Sequence, residues 1–211
     1  MGRDLGPKCK LCRREGEKLF LKGARCQSAK CAIVKRNYPP GFHGVKGLKR
    51  LSDFGQQLRA KQKAKRIYNI SESVLSRYFK IASGSKEDTG RKLLRLLESR
   101  LDNVVFRIGL AESRIQARQR VSHGYILVNG RKVNIASFRV NSGDVIGLNS
   151  NKKKSKIYAQ MEEKMQKGAK HLPSWLVYDE EKKGIRVLNL PEKDDFEAAV
   201  NDKLIVEFYS K

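Results

Sequence analysis

Four cysteines, Cys9, Cys12, Cys26 and Cys31, open this 211-residue chain, and no other cysteine follows. Their order, C-x2-C-x13-C-x4-C, sets two short-range pairs on either side of a loop. That arrangement lets four thiolates close around a tetrahedral ion. Lys8, Lys10, Arg13, Arg14, Lys22 and Arg25 crowd the segment. Four thiolates about one divalent ion keep a net charge of about −2, which neighbouring cations offset while favouring thiolate over thiol. The expected cofactor is one structural Zn2+ ion. An iron–sulfur cluster takes the same four ligands and stays open as the alternative. Two disulfides would need an oxidising compartment. The first residues are polar and charged, so no signal peptide is expected, and no apolar run reaches membrane-spanning length.

The charge balance points to a polyanion. Lys and Arg number 46 against 22 Asp and Glu, a formal net charge of +24. The excess is uneven: from Asp179 onward six cations face nine acids, so the basic character lies upstream. Neutralising phosphates with Lys and Arg releases condensed counterions, which makes nucleic acid the natural partner. A membrane surface would call for an amphipathic helix with a wide apolar face, and the basic helices here have narrow ones.

The elements that must position these cations follow from pattern. Residues 32–50, AIVKRNYPPGFHGVKGLKR, read as an extended basic linker, because Pro39-Pro40-Gly41 opposes helix. Lys35, Arg36, Lys46, Lys49 and Arg50 are its expected phosphate contacts. Leu51, Phe54 and Leu58 then share one helical face, and the following turns carry Arg59, Lys61, Lys63, Lys65 and Arg66, also expected on phosphate. Ser71 is a candidate cap for the next helix. After SGSKEDTG, the stretch LLRLLESRLDNVVFRIGL resumes helical spacing, with Leu93, Leu97, Leu101, Val104 and Ile108 as core.

Residues 113–148 carry the clearest local signals. Ser113 is an N-cap with Gln116 at the capping-box position, and the helix it starts stops at Gly124. Arg114 and Arg118 share a face, with Arg120 to one side. The three are expected to form an exposed row of guanidinium forks suited to phosphate, with Ile115 and Val121 turned to the core. Asn129-Gly130 is a type I′ hairpin turn from which Arg131 and Lys132 extend. The expected unit is two helices packed on a small antiparallel sheet. Residues 151–170 read as a basic, partly helical connector, WLVYDEEKKGIRVLNLP as a hairpin, and the acid-rich final stretch as a segment that packs on protein.

The chain resembles the S-four family, the fourth protein of the small ribosomal subunit, bacterial type, in its zinc-knuckle-containing form. The likeness rests on the cysteine pattern, YPPGFHG at Tyr38–Gly44, QLRAKQKAKRIY at Gln57–Tyr68 and RLDNVVFRIGLAESRIQARQRVSHGYILVNGRKVNI at Arg100–Ile135. It implies an α+β fold: a four-cysteine metal knuckle, a helical domain, and an inserted mixed α/β domain with an S-four-type RNA-binding module on a small antiparallel sheet. The expected boundaries are 1–44 for knuckle and linker, 45–98 for the helical domain, completed by about 190–211, and 99–189 for the module with connector and hairpin. It adds His123 to the RNA-contacting set.

It also implies a structural constituent of the small subunit, cytoplasmic, in the ribosome. Such a protein binds 16S-type ribosomal RNA early in assembly. It touches neighbouring small-subunit proteins and messenger RNA near the channel by which the messenger enters, bears on translational accuracy, and in some members represses its own messenger. No small-molecule substrate or membrane is implied. An RNA-modifying enzyme with the same module would need a separate catalytic domain. No P-loop, G-x-G-x-x-G or His/Asp/Ser constellation is visible, so no enzyme is expected. A zinc-dependent DNA-binding regulator would show a base-reading helix beside a dimer seam, whereas these cations are spread over three segments.

Overall fold

The structure, a computed structural model, describes residues 6–47, 50–168 and 172–210; the expected contact at Lys49 lies outside the described residues. The chain divides into two compact units, one of Met1–Leu93 with Glu197–Lys211 and one of Leu94–Phe196.

The first unit is helical. Helices α1 (Lys8–Glu15), α2 (Ala24–Gln27) and α3 (Ala32–Lys35) are short, and α3 lies where the extended linker was expected to begin. Gly16, at φ 76°, ends α1 in the left-handed region that glycine tolerates. The linker after α3 is not plain coil either, since Phe42–Lys46 forms a 3₁₀ turn. Arg13 fixes the chain before it, donating to the carbonyls of Tyr38 (2.9 Å) and Pro39 (3.1 Å) and lying over the Tyr38 ring. These tertiary bonds explain why the pattern looked unstructured: nothing local supplies them. Helix α4 (Asp53–Ile67) is capped by Ser52, whose hydroxyl accepts from Gly55 N. Ser71 precedes α5 (Glu72–Ser83), but its hydroxyl meets Ser73 and caps nothing. Helix α10 (Asp202–Tyr209), capped by Asn201, packs its Ile205 into the same core as Ala64, Ile67, Leu75 and Tyr78. The Phe79 and Tyr209 rings stack 4.8 Å apart.

In the second unit, helical spacing had suggested continuity from Leu93 to Ile108. Instead α6 (Thr89–Glu98) ends, and α7 (Leu101–Arg107) begins after a break. At the break Arg100 is extended (ψ 138°) and bridges Arg139, while Leu101 N donates to Phe138 O at 2.8 Å. The long-range backbone partner is what interrupts the helix. Helix α8 (Arg114–Ser122) packs on α7. Ser113 accepts from Gln116 N, while Gln116 turns back to Glu112 N rather than completing the box on Ser113. Five antiparallel strands stand in the order β2-β1-β3-β5-β4: β1 (Ile126–Val128), β2 (Arg131–Lys132), β3 (Val145–Leu148), β4 (Leu176–Asp179) and β5 (Gly184–Val187). Asn129 and Gly130, at φ 51° and 77°, make the expected tight turn. Ile126, Val128, Ile146, Ile185 and Val187 bury one face against Leu101, Val104, Ala117 and Val121. Helix α9 (Lys156–Gly168) adds Met161 and Met165 to that core.

Candidate nucleic-acid interface

The expected contacts separate into two groups by exposure. Lys35, Arg36, Lys46 and Arg50 are exposed, as are His123, Arg131 and Lys132. Gly124, at φ 72°, lets Lys132 cross closely: a Cβ there would stand 2.5 Å from Lys132 Cε. His123 ends α8 beside that glycine, so the helix end and the β1–β2 turn present their cationic and imidazole groups from adjoining positions.

The basic face of α4 is internally paired. Arg59 and Arg66 both reach Glu15 of α1, Arg59 at 3.3 Å. Lys63 meets Glu17 at 2.6 Å. Lys61 and Lys65 both reach Glu72 of α5, at 2.9 and 3.4 Å. Glu15 is deeply buried; its burial pushes the carboxyl up, and the fields of Arg66 and Arg59 only partly pull it back. Burial would raise Glu72 too, but hydrogen bonds from Lys61 and Tyr209 bring its carboxyl below the usual range. Lys61 is buried under α10, its Nζ 4.0 Å from the centre of the Phe208 ring. These five cations therefore stitch α4 to its neighbours, which a reading of charge density alone does not reveal.

The arginine row of α8 is not exposed. Arg114, Arg118 and Arg120 are each only 7–8% accessible, and Gln119 and Ser122 are the exposed residues of the helix. The partners lie on α7. Asp102 accepts from Nε and Nη2 of Arg100 (3.0 and 2.8 Å), Nη1 of Arg118 (3.2 Å) and the Asn103 backbone N–H (3.0 Å). Arg114 donates to Asn103 Oδ1 at 2.7 Å and lies over the Phe106 ring. Glu98, fully buried, holds Arg107 through two bonds and the Asn103 amide. A guanidinium is compatible with burial once a carboxylate answers it, so periodicity assigned these side chains to the wrong side. Burial lowers the pKa of Arg120 against the field of Glu112, and its Nη1 finds no partner among the described residues. Arg118→Ala is expected to lower stability by about 1.5–3 kcal/mol, the range for hydrogen bonds to charged groups, measured by urea denaturation. An unchanged midpoint with weakened RNA binding would return Arg118 to the surface set.

The cysteines lie together. Cys12, Cys26 and Cys31 are buried and Cys9 half-buried, and all four line one apolar cavity of ≈ 10 Å³. Burial pushes the Cys12 thiol up, and the other three cysteines add to the shift. Lys22 N donates to Cys26 Sγ at 3.3 Å. Among the described residues no three His, Cys, Asp or Glu converge to ligand geometry as they stand. Nor is any helix among them long and apolar enough to cross a membrane.

Residues 3–98 match the Ribosomal protein S4/S9 N-terminal domain family, and residues 99–146 match the S4 domain. The chain is 50% identical over 212 residues to small ribosomal subunit protein uS4 of Desulforamulus reducens, covering all of both chains. It is 51% identical over 211 residues to the proteins of that name from Thermus thermophilus and Halothermothrix orenii, again covering all of each chain. With exposed cations on a mixed α+β scaffold and likeness along its whole length, the chain belongs to the uS4 family of small-subunit ribosomal proteins.

Proposed function

We propose that the protein is a structural constituent of the small ribosomal subunit that binds its ribosomal RNA and neighbouring ribosomal proteins. It is not an enzyme. The observation that carries this reading is the full-length likeness, at about half identity, to uS4 proteins. The exposed set Lys35, Arg36, Lys46, Arg50, His123, Arg131 and Lys132 supplies the phosphate contacts, together with Lys49. The paired cations of α4 and the buried arginines of α8 hold the units that present them. Early binding during assembly, cytoplasmic residence, contact with messenger RNA near the channel by which it enters, an influence on accuracy and repression of its own messenger extend the same reading. Filter binding to a small-subunit ribosomal RNA fragment tests it. Affinity no greater than for a random duplex at matched salt would overturn it.

The cysteine cavity fits a structural ion. Its donors are four thiols, its walls are apolar, a backbone amide already points at one sulfur, and its volume suits an ion rather than an organic group. Cys9, Cys12, Cys26 and Cys31 would hold Zn2+, which supplies folding energy to a segment with little core of its own. Metal analysis of anaerobically purified protein should give one zinc per chain, and Cys26→Ala should lose both the metal and the order of α1–α3. A ratio near zero, or about four irons with inorganic sulfide, would refute the zinc assignment.

A further inference from the structure

A cleft of ≈ 800 Å³ opens in the second unit between the sheet, α9 and the β4–β5 turn, apart from the cations assigned above. Its sheet side is unusually bare. Leu127 and Gly147 stand opposite each other across the β1–β3 pair, on the face away from Ile126, Val128 and Ile146. A Cβ added at Gly147 would meet nothing within 4 Å. Helix α9 contributes edges of the largely buried Tyr158 and Met165, and β4 contributes the half-buried Tyr178. Lys153, Lys182 and Lys183 are exposed around it. None of the three is ion-paired among the described residues, though Lys182 lies in the field of Asp179. Glu162 is the one acid among the described lining residues; burial, with the field of Glu162 added, raises the Tyr158 hydroxyl. Asn129 is spent on Asp144 and on Val145 N, whereas the exposed Gln166 makes no side-chain hydrogen bond among the described residues.

An open apolar floor, two aromatic rings, a spare amide and three unpaired ammonium groups match the demands of one unpaired nucleotide. The base needs a flat apolar surface and aromatic contact, and its phosphates need cations. A peptide of ordinary composition would meet an excess of like charge only if basic, and an apolar protein segment would leave the lysines unanswered.

We propose that this cleft receives an unpaired nucleotide of single-stranded or looped RNA, its base over Gly147 and its phosphates on Lys153, Lys182 and Lys183. This rests on the RNA-binding reading above and adds to it a site that reads unstacked bases. Gly147→Val plugs the floor with a residue that suits a strand and meets no neighbour. The full-length protein is titrated with fluorescein-labelled hexaadenylate and with an abasic hexamer of equal charge. Wild type should bind hexaadenylate about tenfold or more tighter than the abasic strand. Gly147→Val should reduce hexaadenylate to the abasic level and leave abasic binding unchanged. Lys182→Ala with Lys183→Ala should weaken both strands alike.

Equal affinity of wild type for the two strands, or unchanged hexaadenylate binding by Gly147→Val, overturns the proposal. Should Gly147→Val fail to fold, photocrosslinking of 8-azidoadenosine-labelled hexamer to wild type decides. Adducts on peptides carrying Tyr158 or Tyr178 support the cleft, and adducts confined to residues 35–66 or 131–132 overturn it. A small-subunit RNA fragment is titrated in parallel. If it binds while hexaadenylate shows no base dependence, only the cleft falls; if it does not bind either, the RNA-binding reading falls too.

Discussion

Asp102→Ala is expected to destabilise the second unit by about 3–5 kcal/mol, the range for removing one partner of a buried ion pair. The expectation follows from what the carboxylate holds. Arg100 is 2% exposed and Arg118 8%, and both guanidinium groups close on Asp102. Removing the acid takes its carboxylate from two largely buried guanidinium groups and leaves the Asn103 backbone N–H without this acceptor. The position is also architectural, because Arg100 sits where the chain leaves α6 and bridges Arg139 before starting α7. Urea denaturation followed by far-UV dichroism measures the change. Asp102→Asn, which keeps the shape but not the charge, should recover only part of it. A loss under about 1 kcal/mol for Asp102→Ala would mean that the arginines turn outward to solvent at little cost.

RNA affinity is expected to fall several hundred-fold between 50 and 200 mM salt, a log–log slope of about −4 to −5. The figure counts only the exposed, described cations of the contact set proposed for ribosomal RNA, Lys35, Arg36, Lys46, Arg50, Arg131 and Lys132, and leaves out the cleft lysines. Each neutralised phosphate contributes about 0.7–0.9 to the slope. The net charge of +24 would suggest far more, but Arg59, Lys61, Lys63, Lys65 and Arg66 are already answered by Glu15, Glu17 and Glu72. Arg131→Ala with Lys132→Ala should make the slope shallower by about 2. A wild-type slope shallower than about −2 would sink the assignment of these residues to phosphate. Glu72→Gln, by contrast, should disturb α4, α5 and α10 through loss of the Lys61 and Tyr209 bonds, and should be read by a thermal melt rather than by salt.

Much of the second unit was legible because its signals are local. The Asn129-Gly130 turn, the glycine after α8, the Ser113 cap and the stripe Leu101, Val104 and Ile108 each follow from the backbone or spacing preferences of a few adjacent residues. What escaped depends on partners distant in sequence. The break at Arg100 needs Phe138 and Arg139; the folded loop before Phe42 needs Arg13; the inward turn of Arg114 and Arg118 needs Asn103 and Asp102. Hydrophobic spacing ranks arginine as an outward residue, so it misplaces any arginine whose counterion is buried with it. Pairing was visible in hindsight only as Asp102 and Asn103 of α7 facing basic positions of α8, a signal that requires knowing that the two helices pack. The four cysteines line one cavity, but among the described residues no three of them stand at ligand geometry, which spacing alone does not fix.

The first unit is assembled from two stretches of chain separated by the whole of the second. Synthesis is vectorial, so α4 leaves the translating ribosome well before α10 does. At about 5–20 residues per second the delay is on the order of ten seconds. Throughout it the nascent chain carries Phe54, Gln57 and Lys61 without the Phe208 and Glu207 that later cover them. The second unit is contiguous and can close as soon as its last strand emerges, so the order of maturation is inverted relative to the order of synthesis. A copy stalled before residue 200 would hold a finished sheet and an unfinished helical unit, with an apolar helix face open to chaperones or to premature contact with the polyanion it is destined to meet.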